Sequence, residues 1–376
     1  MAQPNSNSPK PVKRVLIYRL GSLGDTIVAL PALRIVARAF PDAHRRMLTN
    51  IPVNVKAPSA ATILENTGLV HSYERYPVAT RNPLVLLALW WKILLWRPQA
   101  LVNLGPRRGI KAALRDKLFF QLCGITTFYG VPDTEDLQAA RWQPEHQALE
   151  PEYEHLCRQI AELGEGRLDD PASWSMCLTD AEHARARDAL GDLATRPLIA
   201  VSLGTKVQAK DWGRDNWRAL MAMVAQRYPG YGLLLAGAPE ESDTSEFAAE
   251  GWRTQPGAGP VLNVCKLFSP RETAAAFALA DIFIGHDSGP MHMAASVETP
   301  CVAIFAARNI PRVWFPHGPG HKVIYHTVSC AGCGLETCIV EKKRCITSIT
   351  HEEVMAAIVS VLDPIVTHRA GLSTTP

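Results

Sequence analysis

The chain has 376 residues, room for two domains at roughly 100 to 200 residues each. Hydrophobic residues at 47% and charged residues at 20% exclude a wholly disordered, collagenous or coiled-coil protein, since there is ample apolar surface to bury. Lys and Arg outnumber Asp and Glu by 39 to 36, a net +3 too mild to imply a nucleic-acid partner.

The opening stretch, residues 1–13, is a polar tail rich in Pro, Ser and Asn that does not read as a signal peptide. Val15-Leu16-Ile17-Tyr18 then forms a short apolar run, expected as a buried parallel strand. Ile27, Leu30, Leu33 and Ala37 recur at helical spacing, which predicts one helix from about Asp25 to Phe40-Pro41. Residues 83–96 (PLVLLALWWKILLW) are strongly apolar, but a 14-residue stretch containing Lys92 falls short of the ~20 residues needed to span a bilayer. A helix buried against a sheet is the expectation. The other reading is a Trp-rich face that leans on a membrane, with Lys92, Arg97, Arg107 and Arg108 supplying positive charge. Residues 100–104 predict a strand, and 111–122 and 153–163 predict helices, the last closed by Gly164.

Residues 165–180 are polar and contain a proline, the expected boundary between a first domain over 14–178 and a second over 179–362, followed by a tail over 363–376. Thr179 with Glu182, Ser269 with Glu272 and Thr350 with Glu353 each form a capping box, the last opening a helix to about Leu362. Strands are expected over 198–202, 231–236, 282–285 and 300–305, with helices over 216–228 and 270–279. Both halves alternate strand and helix. The fold class is therefore α/β, two doubly wound Rossmann-like domains whose strand carboxyl ends face one cleft.

Gly21-Ser22-Leu23-Gly24-Asp25 joins the first strand to the first helix, so the backbone can approach a ligand closely and the helix amides face the cleft. It lacks the third glycine of the dinucleotide fingerprint and the Lys-Ser/Thr of a Walker loop. Asp25 is either a helix cap or a general base. A second constellation, GHDSGPMHMA over 285–294, also follows a strand and opens a helix. There Ser288, the Gly289 amide and the helix amino terminus make a phosphate cradle, with His292 one turn along. Asp287 would repel a phosphate, and suits a sugar hydroxyl or a nearby cation. Residues 202–212 bring Lys206 and Lys210 to one rim, where Lys210 is either a clamp for a leaving diphosphate or a solvated surface lysine. Glu240 and Glu241 end a strand, for ribose hydroxyls or as helix caps.

VLIYRLGSLGDTIVALPALRIVARAFPDA and ADIFIGHDSGPMHMAASVETPCVAIFAA, in this order and at this separation, resemble the amino-terminal and donor-site signatures of glycosyltransferase family 9, which contains the lipopolysaccharide heptosyltransferases. The likeness spans residues 14 to 362. It implies a GT-B fold and metal-independent inverting transfer, with an acceptor on the first domain and an ADP-heptose-like nucleotide sugar on the second. Position by position, it implies Asp25 as the catalytic base, with Gly21, Ser22 and Gly24 on the acceptor side. It implies Lys210 and Thr205 at the donor phosphates, Glu241 or its neighbour Glu240 at the ribose, and Asp287, Ser288, Gly289, Met291 and His292 around the donor sugar and phosphates. The implied acceptor is a lipid-linked saccharide such as the lipopolysaccharide core, met at the cytoplasmic face of the inner membrane. Transfer to a protein hydroxyl and a non-catalytic nucleotide-sugar-binding subunit are the alternatives. Family members commonly carry an acidic residue near position 100, whereas this chain has Asn103-Leu104-Gly105-Pro106-Arg107-Arg108. Arg107 and Arg108 either contact an anionic acceptor or form a solvated basic turn.

Nine cysteines in a chain of this length do not read as a secreted disulfide scaffold, so a reducing, cytoplasmic setting is expected. Cys330, Cys333, Cys338 and Cys345 fall within 16 residues as C-x2-C-x4-C-x6-C. Four thiolates in one loop suit Zn or Fe, and packed thiols or a disulfide are the other readings. A related group of protein-modifying heptosyltransferases with an iron-binding cysteine loop is similar here. The expected role is structural, with no cofactor required for catalysis.

Overall fold

The computed structural model describes residues 11–51, 59–77, 80 and 82–373, so most of the expected amino-terminal tail and the last three residues lie outside the described residues. The first half builds around β1 (Arg14–Tyr18), where Val15, Leu16 and Ile17 are buried on both faces as an apolar run in a parallel sheet must be. The chain continues through α1 (Leu23–Val28), α2 (Leu30–Ala39), β2 (His44–Thr49), α3 (Ala60–Leu64) and β3 (Ser72–Arg75). It then forms α4 (Pro83–Trp96), β4 (Ala100–Asn103), α5 (Ile110–Leu122) and β5 (Thr127–Tyr129). These strands form one parallel sheet in the order β3-β2-β1-β4-β5. After α6 (Glu135–Gln138) and the small antiparallel ribbon β6 (Trp142–Gln143) with β7 (Ala148–Leu149), α7 (Glu152–Gln159) packs on α2.

The second half opens with α8 (Asp180–Leu190) on its capping box, where Glu182 accepts from Thr179 N–H. It runs through β8 (Leu198–Ser202), α9 (Arg214–Arg227), β9 (Gly232–Leu235), α10 (Ser242–Arg253) and β10 (Val261–Asn263). Next come α11 (Pro270–Phe277), β11 (Ile282–His286), α12 (Gly289–Ser296), β12 (Cys301–Phe305), β13 (Lys322–Tyr325), α13 (Arg344–Thr347) and α14 (His351–Ser373). The six strands pair in parallel in the order β10-β9-β8-β11-β12-β13. The expected α/β class with two parallel sheets is what the chain adopts.

Three elements differ from expectation. The first predicted helix is two, α1 and α2, because Pro31 has no N–H to bond the Ile27 carbonyl and the ladder breaks at Ala29. The last helix does not end near Leu362. It continues through the expected tail, held where Asp363 accepts from Tyr228 Oη and Arg227, both at 2.7 Å, and where Arg369 pairs with Asp281 at 2.5 Å. Third, α4 is a helix of the expected length but is not buried: only Leu89 and Ile93 face the core, while Leu84 is 71% exposed and Leu95 60%. No helix among the described residues is long and apolar enough to cross a membrane.

One apolar core runs continuously from α1 and α2 through α7, α8, α11 and α12, so the two sheets share it. At its edge Arg271, 2% exposed, pairs with Glu182 and donates to the carbonyls of Ile63, Met176 and Cys177. A guanidinium so deeply buried is tolerable only with its donors satisfied, and these bonds tie α11 to α3 and to α8.

Candidate active site

The loops after β8, β9 and β11 come together with the start of α1 around a cavity of about 460 Å³, lined by Ser22 and Leu23 from the first sheet's side and by Thr205, Lys210, Glu241 and Ser288 from the second. Strand carboxyl ends face it from both halves, the position where open α/β sheets hold ligands. Glycines make the approach possible. A Cβ on Gly204 would stand 1.8 Å from the Glu241 carboxyl carbon, and one on Gly289 would stand 2.6 Å from Leu23 Cδ2. The second contact is where α12 meets α1, so glycine at 289 sets how closely the two halves join.

On the second half's side, Lys210 Nζ pairs with Asp287 Oδ2 at 2.7 Å and also donates to the Asp287 carbonyl at 3.0 Å. Asn309 donates to the same carboxylate at 3.2 Å. Asp287 thus finds the cationic partner its position called for, and Lys210 is not a free surface lysine. Ser288 precedes α12 without capping it, and its buried hydroxyl has no protein partner. Ser288 lines the cavity at a helix amino terminus, where a hydroxyl with no protein partner can donate to an anionic oxygen. Thr205 Oγ1 accepts from Val207 N–H at 3.3 Å and shapes the turn. Of the acidic pair, Glu241 lines the cavity; it accepts from Ala238 N–H at 2.8 Å, and burial pushes its carboxyl above the ordinary range. Lys206 lies on the same wall, its ammonium pushed down by burial and supported by Glu241.

On the first half's side, Asp25 Oδ2 accepts from Ser22 N–H at 2.7 Å and from Ser22 Oγ at 2.8 Å, a capping box on α1. A Cβ on Gly21 would meet Asp25 Cβ at 2.3 Å. Buried Arg19, a residue the sequence reading passed over, donates to the Asp25 carbonyl at 2.7 Å and to the Leu104 carbonyl at 2.8 Å, fixing the turn after β1 to the end of β4. A Cβ on Gly24 would stand 3.1 Å from His292 Cδ2; His292 is 4% exposed and lies in the field of both Asp25 and Asp287. Met291 does not reach the cavity. It is fully buried in the core, and Met293 lines the cavity instead. Arg107 pairs with Glu152 at 2.5 Å and lines a second cavity of about 290 Å³ with Arg308, Asn309 and Trp314. Arg108 turns away to Tyr18 Oη at 2.9 Å and Asp116 at 2.5 Å.

Buried histidines surround this region. Burial holds His286 and His292 down at about 4, and His317, stacked 3.5 Å from the Trp174 ring, at about 3. All three are neutral at pH 7. The unfolded chain takes up these protons near pH 6.5, so stability is complete above that pH and falls as pH drops toward 4. Each group contributes about 2 kcal/mol of loss at pH 5. Thermal melts between pH 7 and 5 are expected to fall and to flatten in His317→Phe, which keeps the stacking; identical slopes for the two proteins would remove His317 from this account.

The four clustered cysteines line one cavity of only about 10 Å³ and are free thiols. Burial, and then its neighbours Cys330, Cys338 and Cys333, push the Cys345 thiol up. Among the described residues no three His, Cys, Asp or Glu side chains stand close enough to share an ion. The donor set suits a soft metal, whereas the spacing requires the thiols to converge further. This loop braces the turn that carries Lys210: Ala209 N–H donates to the Glu336 carbonyl at 3.0 Å, Cys338 N–H to Gln208 Oε1 at 2.9 Å, and Lys343 Nζ to the Asp211 carbonyl at 2.8 Å.

Comparison with known proteins agrees with this architecture. A lipooligosaccharide heptosyltransferase 2 of Campylobacter jejuni is 27% identical over 95 residues, 25% of this chain and 30% of that protein, so this alignment spans under a third of its relative's length. Lipopolysaccharide heptosyltransferase 1 of Pseudomonas aeruginosa is 24% identical over 86% of this chain and 87% of its own. Among solved structures, the family 9 glycosyl transferase of Veillonella parvula superposes with a TM-score of 0.66 at 18% identity, covering 93% of this chain and 97% of that one. An Escherichia coli heptosyltransferase with ADP-2-deoxy-2-fluoro heptose gives 0.58 at 20% identity, over 92% and 99%. The iron-containing dodecameric glycosyltransferase TibC of enterotoxigenic E. coli gives 0.53 at 14% identity, over 95% and 77%. At these identities the structures show a shared fold. The sequence profile of glycosyltransferase family 9 (heptosyltransferase) matches residues 113–344, more than half of the chain. The chain belongs to that family.

Proposed function

We propose that the protein transfers a heptose from ADP-heptose to a lipopolysaccharide-core or similar lipid-linked saccharide, with inversion and with no metal in the chemical step. The observation that carries this is the unpartnered Ser288 hydroxyl at the start of α12, beside Lys210, in a cavity whose far wall is Glu241. In this reading Ser288, the α12 amides and Lys210 hold the diphosphate, and Glu241 accepts from ribose hydroxyls. The Asp25 carboxylate takes the proton of the acceptor hydroxyl as that oxygen attacks the anomeric carbon. The bond from that carbon to the leaving phosphate oxygen breaks, and Lys210 and the helix terminus neutralise the charge left on ADP. The division at residue 178 into acceptor and donor domains, and a cytoplasmic location, belong to the same reading.

Thermal shift with a panel of nucleotides tests it, because a ligand that binds only the folded chain raises its melting temperature. ADP and ADP-heptose are expected to stabilise the protein, while UDP-sugars leave it unchanged. Stabilisation by no nucleotide diphosphate would sink the donor assignment.

We further propose that the four cysteines, if they converge on a Zn or Fe ion, stiffen the Lys210 turn; iron in that loop would favour, as a second reading, transfer to a protein hydroxyl. Metal analysis of purified protein is expected to find close to one ion per chain, lost in Cys333→Ser/Cys338→Ser; neither metal in the intact protein removes the site, and acceptor assays on saccharide against protein decide between the readings.

A further inference from the structure

A helix that is apolar all round is normally buried, yet α4 lies on the outside of the first sheet. Leu84, Leu87, Trp91 and Leu95, at 71, 57, 53 and 60% exposure, make one outward stripe. On α5, Leu114, Leu118 and Leu122 repeat every fourth residue at 48, 55 and 64% exposure. Trp90 Nε1 donates to the Leu122 carbonyl at 2.8 Å, so the two helices are neighbours and their stripes form one face.

Charge selects the occupant. Residues 83–124 hold seven Lys or Arg against Asp116 alone, a net +6 in a chain whose total is +3. Lys92 and Arg115 are 60 and 68% exposed at the side chain, and Lys111 is exposed one turn before Arg115. The acids on hand are Glu74, which pairs with Lys92, Asp116, shared by Arg108 and Arg115, Asp133, which pairs with Lys117, and Glu152, which pairs with Arg107, so Lys111 and the outer reach of Lys92 and Arg115 carry the exposed charge. A second copy docked face to face would set this positive field against itself. An anionic lipid surface meets both the apolar stripe and its basic flank, with tryptophan at the boundary between them.

We propose that the α4–α5 face seats the protein on an anionic bilayer, lying in the interface without crossing it. This deepens the reading of a lipid-linked acceptor. Bare vesicles contain no acceptor, so binding to them succeeds or fails independently of the donor measurements above. The test is co-flotation of the full chain with phosphatidylglycerol-containing vesicles and with pure phosphatidylcholine vesicles. Wild type is expected to float with the anionic vesicles, and Trp91→Glu/Leu95→Glu and Lys111→Glu/Arg115→Glu each to need about tenfold more lipid or worse. The second pair is wholly surface charge, so it reports on binding even if the first unfolds. Equal flotation of wild type and both variants overturns the proposal. So does the absence of flotation by wild type, whether it is a monomer or a dimer that Trp91→Glu/Leu95→Glu splits by light scattering.

Discussion

Asp25→Asn is expected to lower turnover by about 100-fold or more while nucleotide affinity stays within about twofold. The choice of asparagine follows from the double use of this side chain. Asp25 Oδ2 caps α1 through Ser22, and removing a cap costs roughly 1 kcal/mol on its own. An alanine variant therefore loses the cap and the base together, and a weak enzyme would be ambiguous. Asparagine keeps an oxygen for Ser22 N–H but cannot take a proton from an acceptor hydroxyl. If the carboxylate serves only α1, Asp25→Asn turns over like wild type and Asp25→Ala shows a modest loss that tracks its melting temperature. If it is the base, both variants fail alike while thermal shift with ADP is unchanged, since the proposed diphosphate cradle belongs to α12 and the β8 loop. Steady-state donor consumption with acceptor present, alongside ADP titrations, separates the two cases.

What the sequence disclosed and what it withheld divide along the range of the forces involved. β1, β8, β11 and β12 were readable because each is a short apolar run buried on both faces, a property of adjacent residues. The turns after β1 and β11 were readable for the same reason: a glycine, a polar side chain and a helix start lie within five residues. β2 was not, since HRRMLT looks solvated. Its Arg45 is nevertheless buried, because the carbonyls of Leu69, Phe40 and Gly68 come from elsewhere to receive it. β3, β10 and β13 are short or edge strands whose pairing partners supply the signal. Choosing between Glu240 and Glu241 needed Gly204, some 37 residues away, whose missing side chain leaves room for one carboxylate. The exchange of Met291 for Met293 came from which side of α12 meets the sheet. Asn309, Arg19 and the bracing of Lys210 by the cysteine loop are contacts between segments, and none leaves a trace in local composition.

The two halves of the site are also unequally prepared. On the proposed donor side, Lys210 holds Asp287, which Asn309 also contacts, while among the described residues the Ser288 hydroxyl has no partner. On the proposed acceptor side, Arg107 and Arg108 are both engaged with protein carboxylates. An anionic acceptor contacting Arg107 would have to compete with Glu152, which is 9% exposed at the side chain, so affinity there reflects an exchange of partners.

Lys210→Ala is expected to weaken ADP binding by about 100-fold, near 3 kcal/mol, and at the same time to lower stability by a similar amount. The second effect arises because Asp287 is 5% exposed and, among the described residues, would keep Asn309 as its side-chain partner, leaving a buried charge poorly compensated. A loss of affinity alone would therefore not distinguish a diphosphate clamp from a lysine that merely keeps Asp287 in place. Lys210→Ala/Asp287→Asn resolves this, since it removes the stranded charge along with the cation. If Lys210 contacts the donor, the double variant melts close to wild type but still binds ADP weakly by calorimetry, and turnover stays low because charge on the leaving diphosphate goes unneutralised. If Lys210 acts only through Asp287, affinity returns together with stability, and the diphosphate must then be held by Ser288 and the α12 amides, with Lys206 and Lys266 as cations still lining the cavity.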